Sequence, residues 1–155
     1  VLLLDVIEHL MSPEKFVSDL RKFGRMKYGT KILVSVPNTA FLTMRISLLI
    51  GIFNYGKRGI LDKTHTRLFT FSTLKDLVNQ GGFSIISKKG IPAPYPLAIG
   101  ENLISTLLIK VNLFLIKISK TIFSYQIIYT ITPNISLDSL INKANQESLK
   151  KIKEI

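Results

Sequence analysis

Residues 1–10 read VLLLDVIEHL, and the reading of this stretch decides the fold. An apolar run is closed by Asp5. A run this short suits a strand covered on both faces, as in a parallel sheet. Two apolar residues follow, then Glu8 and His9 side by side, and the chain has only two histidines. If the turn after Asp5 is helical, Asp5, Glu8 and His9 fall at i, i+3 and i+4 and share one face. Two carboxylates and an imidazole converging there could hold a divalent cation. Carboxylate oxygens suit magnesium or manganese, and imidazole tilts the choice towards transition metals. The same trio could be an acid–base pair in which a carboxylate orients the imidazole. It could also be a plain hydrogen-bonded turn, with Asp5 capping backbone N–H groups, Glu8 solvated and His9 packed.

Downstream, Ser12-Pro13-Glu14 stacks three helix-start signals: an N-cap serine, a proline at the first helical position and an acid in the first turn. The helix would bury Phe16, Val17, Leu20 and Phe23, and end at Gly24 and Gly29. KILVSVP, 31–37, reads as the next strand, closed by Pro37-Asn38. AFLTMRISLLIGIF, 40–53, reads as a helix packed on the domain or capping the site. A polar loop, NYGKRGILDKTHTRLFT, follows and carries His65 between Asp62-Lys63 and Arg67. If it folds over the first strand end, both histidines and two carboxylates meet. Ser72 would open a helix with Leu74, Leu77 and Val78 inward, stopped by Gly81-Gly82. FSIISKKG, 83–90, reads as a strand, IPAPYP as a connector that cannot continue it, and SYQIIYTITP, 124–133, as a last strand. Strands alternating with helices argue for an α/β layered domain. Ligands in such sheets bind beyond the carboxyl ends of the strands, where Asp5 and Pro37-Asn38 stand.

The 155 residues suffice for one domain. At 46% hydrophobic and 20% charged the chain is globular in composition rather than disordered. With no cysteine, disulfides and thiolate metal sites are excluded and a reducing, cytoplasmic setting is allowed. The net charge of +11 suits an anionic partner, although the lysines are spread along the chain. VLLLD lacks a basic n-region and a cleavage site, so it does not read as a signal peptide. It reads instead as the middle of a longer polypeptide. The segment 101–123 is apolar but broken by Lys110, Lys117 and Lys120. No uncharged run there approaches the ~20 residues that span a bilayer. That leaves an interfacial helix with snorkelling lysines, making a peripheral membrane contact, or a helix packed on the sheet. Clustered cations with interleaved aromatics, the mark of nucleic-acid binding, are limited to Tyr55-Gly56-Lys57-Arg58.

DVIEHL, then a helix, then KILVSVPN, then DKTHTRLFTFSTLKDLVNQGGF, resembles the second half of a class I S-adenosylmethionine-dependent methyltransferase. The group including the ubiquinone-biosynthesis O-methyltransferases is the most similar. The resemblance covers residues 1–90 well and extends more loosely to SYQIIYTITP. It implies a doubly wound, Rossmann-like sheet of which residues 1–133 supply the fourth to seventh strands. Residues 40–60 and 97–123 would then be cap or acceptor-site insertions, and 134–155 a polar lysine-rich tail. By position, Asp5 and Val6 would border the methyl donor, S-adenosylmethionine. Asp5, Glu8, His9 and His65 would hold a divalent metal such as magnesium, although the metal-binding relatives usually carry the longer glutamate where Asp5 stands. His9 or His65 would serve as base, and Asn38 and Arg67 would line the acceptor site. The implied reaction is O-methylation of a small-molecule, lipid or sugar acceptor. No G-x-G-x-x-G occurs in the chain, so the family's donor-cradling loop is absent from it. The competing reading is a non-catalytic methyltransferase remnant or a membrane-surface module.

Overall fold

The computed structural model describes residues 1–23 and 29–134. The expected burial of Phe23, the helix end at Gly24 and the polar tail after Asn134 fall outside the described residues. Four strands form one sheet: β1 (Leu2–Leu4), β2 (Ile32–Pro37), β3 (Phe83–Ile91) and β4 (Gln126–Pro133). Their order is β1-β2-β4-β3. β1 and β2 are parallel, with Leu3 beside Val34. β4 lies antiparallel to both neighbours, so that Tyr129 pairs with Val34 on one side and Lys88 on the other. The chain is thus a mixed α/β layer, as the alternation of elements predicts.

Side chains alternate across a strand, and here the two faces differ sharply. Ile32, Val34 and Val36 of β2 and Ile127, Tyr129 and Ile131 of β4 are buried on one face. Over that face lie α1 (Pro13–Phe23) and α3 (Phe71–Gln80), which contribute Val17, Leu74, Leu77 and Val78 to the same core. Both helices show the 3.6-residue apolar spacing that such packing needs. They meet closely where Gly81 ends α3: a Cβ there would stand 2.2 Å from Val17 Cγ1, which only glycine avoids.

Four expectations need correction. β1 is not covered on both faces: only Leu3 packs on the core, while Leu2 and Leu4 are exposed. It is the edge strand of the described sheet, and no described helix lies over its second face. α3 begins one residue before Ser72. Thr70 is its N-cap, in a reciprocal capping box with Thr73, which satisfies two otherwise orphaned N–H groups. IPAPYP does not continue β3 beyond Ile91, but it is more than a connector, because α4 (Tyr95–Ile99) starts within it and tolerates proline in its first turn.

The fourth correction concerns 101–123. This stretch forms α5 (Leu103–Ile118) and α6 (Lys120–Phe123), divided at the extended Ser119. The reading of a helix with its apolar side on the sheet fails. The buried residues of α5 are Ser105, Asn112 and Ile116, while most of its leucines, isoleucines and its phenylalanine face outward. Asn112 accepts from Ala93 N–H at 2.9 Å and donates to the Phe123 carbonyl at 2.8 Å. It therefore ties α5 to the approach of α4 and to the end of α6. Asn112→Ala orphans both backbone groups and is expected to cost about 2 kcal/mol, read as a lower urea midpoint with unchanged m-value. An unchanged midpoint would mean that these two bonds do not fasten α5.

Candidate functional site

Beyond the carboxyl ends of β1 and β2 lies a cleft of about 340 Å³ lined by Asp5, Glu8, His9, Pro37, Arg58, Gly59, Asp62, His65, Tyr125 and Gln126. Four parts of the chain build it: the turn after β1, the end of β2, the loop before α3 and the start of β4. The turn is not a helix running on from Asp5, as the i, i+3, i+4 reading assumed. Asp5 sits at φ 52°, a left-handed conformation that aspartate tolerates better than most residues. A single 3₁₀ turn, Ile7–His9, follows. The reversal still leaves Asp5, Glu8 and His9 on one cleft.

The loop carrying His65 is stitched onto that turn through its backbone. Thr66 and Arg67 N–H both donate to the Glu8 carbonyl, at 2.9 and 3.0 Å. Thr66 Oγ1 donates to the Leu10 carbonyl at 2.8 Å. Within the loop, Asp62 Oδ1 accepts from both the N–H and the hydroxyl of Thr64 at 2.8 Å. Those bonds hold the Asp62 carboxyl below its ordinary pKa. The two imidazoles end with ring centroids 4.9 Å apart, edge to face.

Each ring is oriented by a backbone carbonyl. His9 Nδ1 lies 3.1 Å from the Thr64 oxygen and His65 Nδ1 2.9 Å from the Ile60 oxygen. A carbonyl only accepts, so each Nδ1 carries a proton, and in the neutral ring each Nε2 keeps its lone pair. Glu8, beside them, is in an unusual state. It is 1% exposed, and neither carboxylate oxygen has a hydrogen-bond partner among the described residues. Burial pushes its carboxyl above the ordinary value, opposed first by its own backbone N–H and then by the two histidines, and reinforced by the Asp5 charge. Ligand atoms of Glu8, His9 and His65 lie within 4.8 Å of one another.

The other residues singled out from the sequence are placed less centrally. The Asp5 carboxylate lines the cleft, but it accepts from Ser35 Oγ at 3.0 Å and from Gln126 Nε2. Val6 is exposed beside it and does not line the cleft. Asn38 is fully buried: its amide donates to the Thr121 and Ser124 carbonyls at 3.0 and 2.7 Å, and its oxygen accepts from Ala40 N–H. Both amide hydrogens are thereby used up inside the protein, at the seam between β2 and the α6–β4 connection. Arg67 points away from the cleft and pairs with Glu14 at the surface. Tyr125 and Gln126 line the cleft without any signal near the histidines in sequence, because β4 reaches the site only through the sheet.

No protein-family model matches the chain, and no curated protein matches it. Among solved structures it is similar to a SAM-dependent methyltransferase from Archaeoglobus fulgidus, at 22% identity and a TM-score of 0.49, over 86% of this chain and 58% of that one. It is also similar to a chain of the complex between the Haloferax volcanii Trm112 methyltransferase activator and a methyltransferase, at 11% identity and a TM-score of 0.47, over 88% and 54%. The chain thus spans little more than half the length of these neighbours.

Proposed function

We propose that the chain forms the acceptor-side part of an S-adenosylmethionine-dependent methyltransferase domain, and that Glu8, His9 and His65 hold a divalent cation at its reaction centre. The observation that carries this reading is the buried Glu8 carboxylate, which has no hydrogen-bond partner among the described residues and lies with ligand atoms of both imidazoles within 4.8 Å. A desolvated, unpaired carboxylate is costly, and a cation would satisfy it. The donor set of two nitrogens and one oxygen fits manganese or zinc better than magnesium. The sequence resemblance from DVIEHL to NQGGF supports the same assignment, as does the position of the cleft beyond the strand ends.

Methyl transfer asks little of the protein beyond alignment and proton removal. S-adenosylmethionine, when bound, would supply an electrophilic methyl group whose carbon–sulfur bond breaks as the acceptor oxygen bonds to carbon, a neutral thioether leaving. A cation at this site would lower the pKa of the acceptor hydroxyl. Where none is held, Nε2 of His9, the more exposed of the two rings, takes the hydroxyl proton. The Thr64 carbonyl, facing Nδ1–H, stabilises the imidazolium that results. Asp5, held by Ser35 and Gln126, would border the methyl donor, as the sequence resemblance implies. The acceptor class is a small molecule, lipid or sugar bearing a hydroxyl.

The test is calorimetric titration of S-adenosylmethionine into this chain and into the polypeptide of the reading frame continued upstream of Val1. Binding by the extended form alone is expected, because no glycine-rich donor loop occurs within residues 1–155. Absence of binding by either form would overturn the assignment and favour a non-catalytic role.

A further inference from the structure

α5 is amphipathic in the wrong direction for a helix that serves the core. Its buried line is Ser105, Asn112 and Ile116. Its opposite side carries Leu103, Leu107, Val111, Phe114 and Ile118, spaced four, four, three and four residues apart, so they form one outward stripe. Leu103 is 89% exposed, Leu107 61% and Phe114 63%. Lys110 and Lys117, two turns apart, run along one edge of this stripe. Neighbouring elements repeat the pattern. α4, packed beside α5, exposes Leu97 and Ile99. α2 (Leu42–Leu49) buries none of its residues and, with the residues after it, exposes Ile46, Leu48, Leu49, Ile50, Ile52 and Phe53. α2 and α4 adjoin across an apolar cleft of about 290 Å³ lined by Phe41, Tyr95 and Tyr125. Exposed apolar surface of this extent marks an interaction site.

Charge selects the occupant. No acidic residue occurs between Asp19 and Asp62, nor between Glu101 and Asp138, so both apolar segments lie in stretches whose only charges are cationic. A second copy of a +11 chain would bring like charges together there. No helix among the described residues is long and apolar enough to cross a membrane. Apolar side chains with lysines at their edge, on a helix too short to span, match the interface of an anionic bilayer. There the side chains enter the acyl boundary and the ammonium groups reach the headgroups. We infer that the outward face of α5, with α4 and α2, is a docking surface for an anionic lipid bilayer. This inference is independent of the methyl-transfer reading.

The experiment is co-sedimentation of the full 155-residue chain with phosphatidylcholine vesicles with and without phosphatidylglycerol. Binding to the anionic vesicles is expected, weakening as sodium chloride is raised. The double substitution Leu107→Glu/Phe114→Glu should lower it about tenfold or more. Lys110→Glu/Lys117→Glu should remove the preference for phosphatidylglycerol. All four side chains are exposed, so far-UV circular dichroism should be unchanged. Three results would overturn the inference: no sedimentation with anionic vesicles, sedimentation unaffected by Leu107→Glu/Phe114→Glu, or a vesicle-free self-association of the native chain that this substitution abolishes. The last would assign the face to a second copy.

Discussion

Glu8→Gln is expected to weaken manganese binding about a hundredfold or more, while making the cation-free protein the more stable of the two. The two effects have one origin. In the native chain a carboxylate is held out of water with neither oxygen hydrogen-bonded among the described residues, and its charge has value only when a cation is present. The amide removes that charge at almost constant shape, so the apo protein should gain about 1 kcal/mol. Manganese should raise the urea midpoint of the native chain by mass action and leave that of Glu8→Gln unchanged. His65→Ala should match the loss of binding without the gain in apo stability, because it removes a ligand and leaves the buried charge behind. Isothermal titration with manganese and urea unfolding with and without the ion read both effects. Equal manganese affinity in native and Glu8→Gln protein would eliminate the proposed cation site.

The second large effect belongs to the core. Tyr129→Ala is expected to cost about 4 kcal/mol, a large part of the 5–15 kcal/mol that keeps a typical domain folded. Tyr129 is fully buried at the middle of β4, its ring lies 6.0 Å from that of Phe71, and its hydroxyl donates to the Phe71 carbonyl at 2.6 Å. Truncation opens a cavity between sheet and α3 and removes the hydroxyl's hydrogen bond to that carbonyl. Tyr129→Phe separates the terms: it keeps the ring and should cost about 1 kcal/mol through the one lost hydrogen bond. Burial, reinforced by the Asp76 charge, pushes the Tyr129 hydroxyl up to about 12 from its ordinary 10.0. A folded pKa above the unfolded one gives a contribution complete below pH 10 and lost as pH rises towards 12. That part of the alkaline fall in stability should be missing in Tyr129→Phe, as urea midpoints across this range would show.

Much of the fold was legible because local signals and pattern agree. Ser12-Pro13-Glu14 starts α1, Gly81-Gly82 ends α3, and the β-branched and aromatic run 126–133 is a strand. Glu8, His9 and His65 could be singled out by scarcity and by their setting at a strand end and in a polar loop. What sequence did not disclose depends on long-range geometry. The left-handed Asp5 turns the site residues onto one cleft by a route that helical spacing does not describe. Asn38 looked like a strand-end ligand residue, yet its partners are carbonyls more than eighty residues away in sequence. Arg67, next to the site in sequence, is carried to Glu14 instead. The outward stripe of α5 is invisible to periodicity, which shows that a face is apolar and not which way it points.

The placement of β4 sets the order in which the molecule can be made. It lies between β2 and β3, and Ile32 finds Ile131 across roughly 100 residues of intervening chain, a long loop to close. On the ribosome, β1, β2 and β3 would emerge well before the strand that joins them. Until residues 126–133 appear, β2 has an open edge and α3 rests on half a core. The nascent chain would therefore pass through a long interval of exposed edges, in which chaperones or premature strand pairing compete with folding. β4, the last of the described strands, is the keystone, and translation speed through 101–133 would set how long the arch stands open.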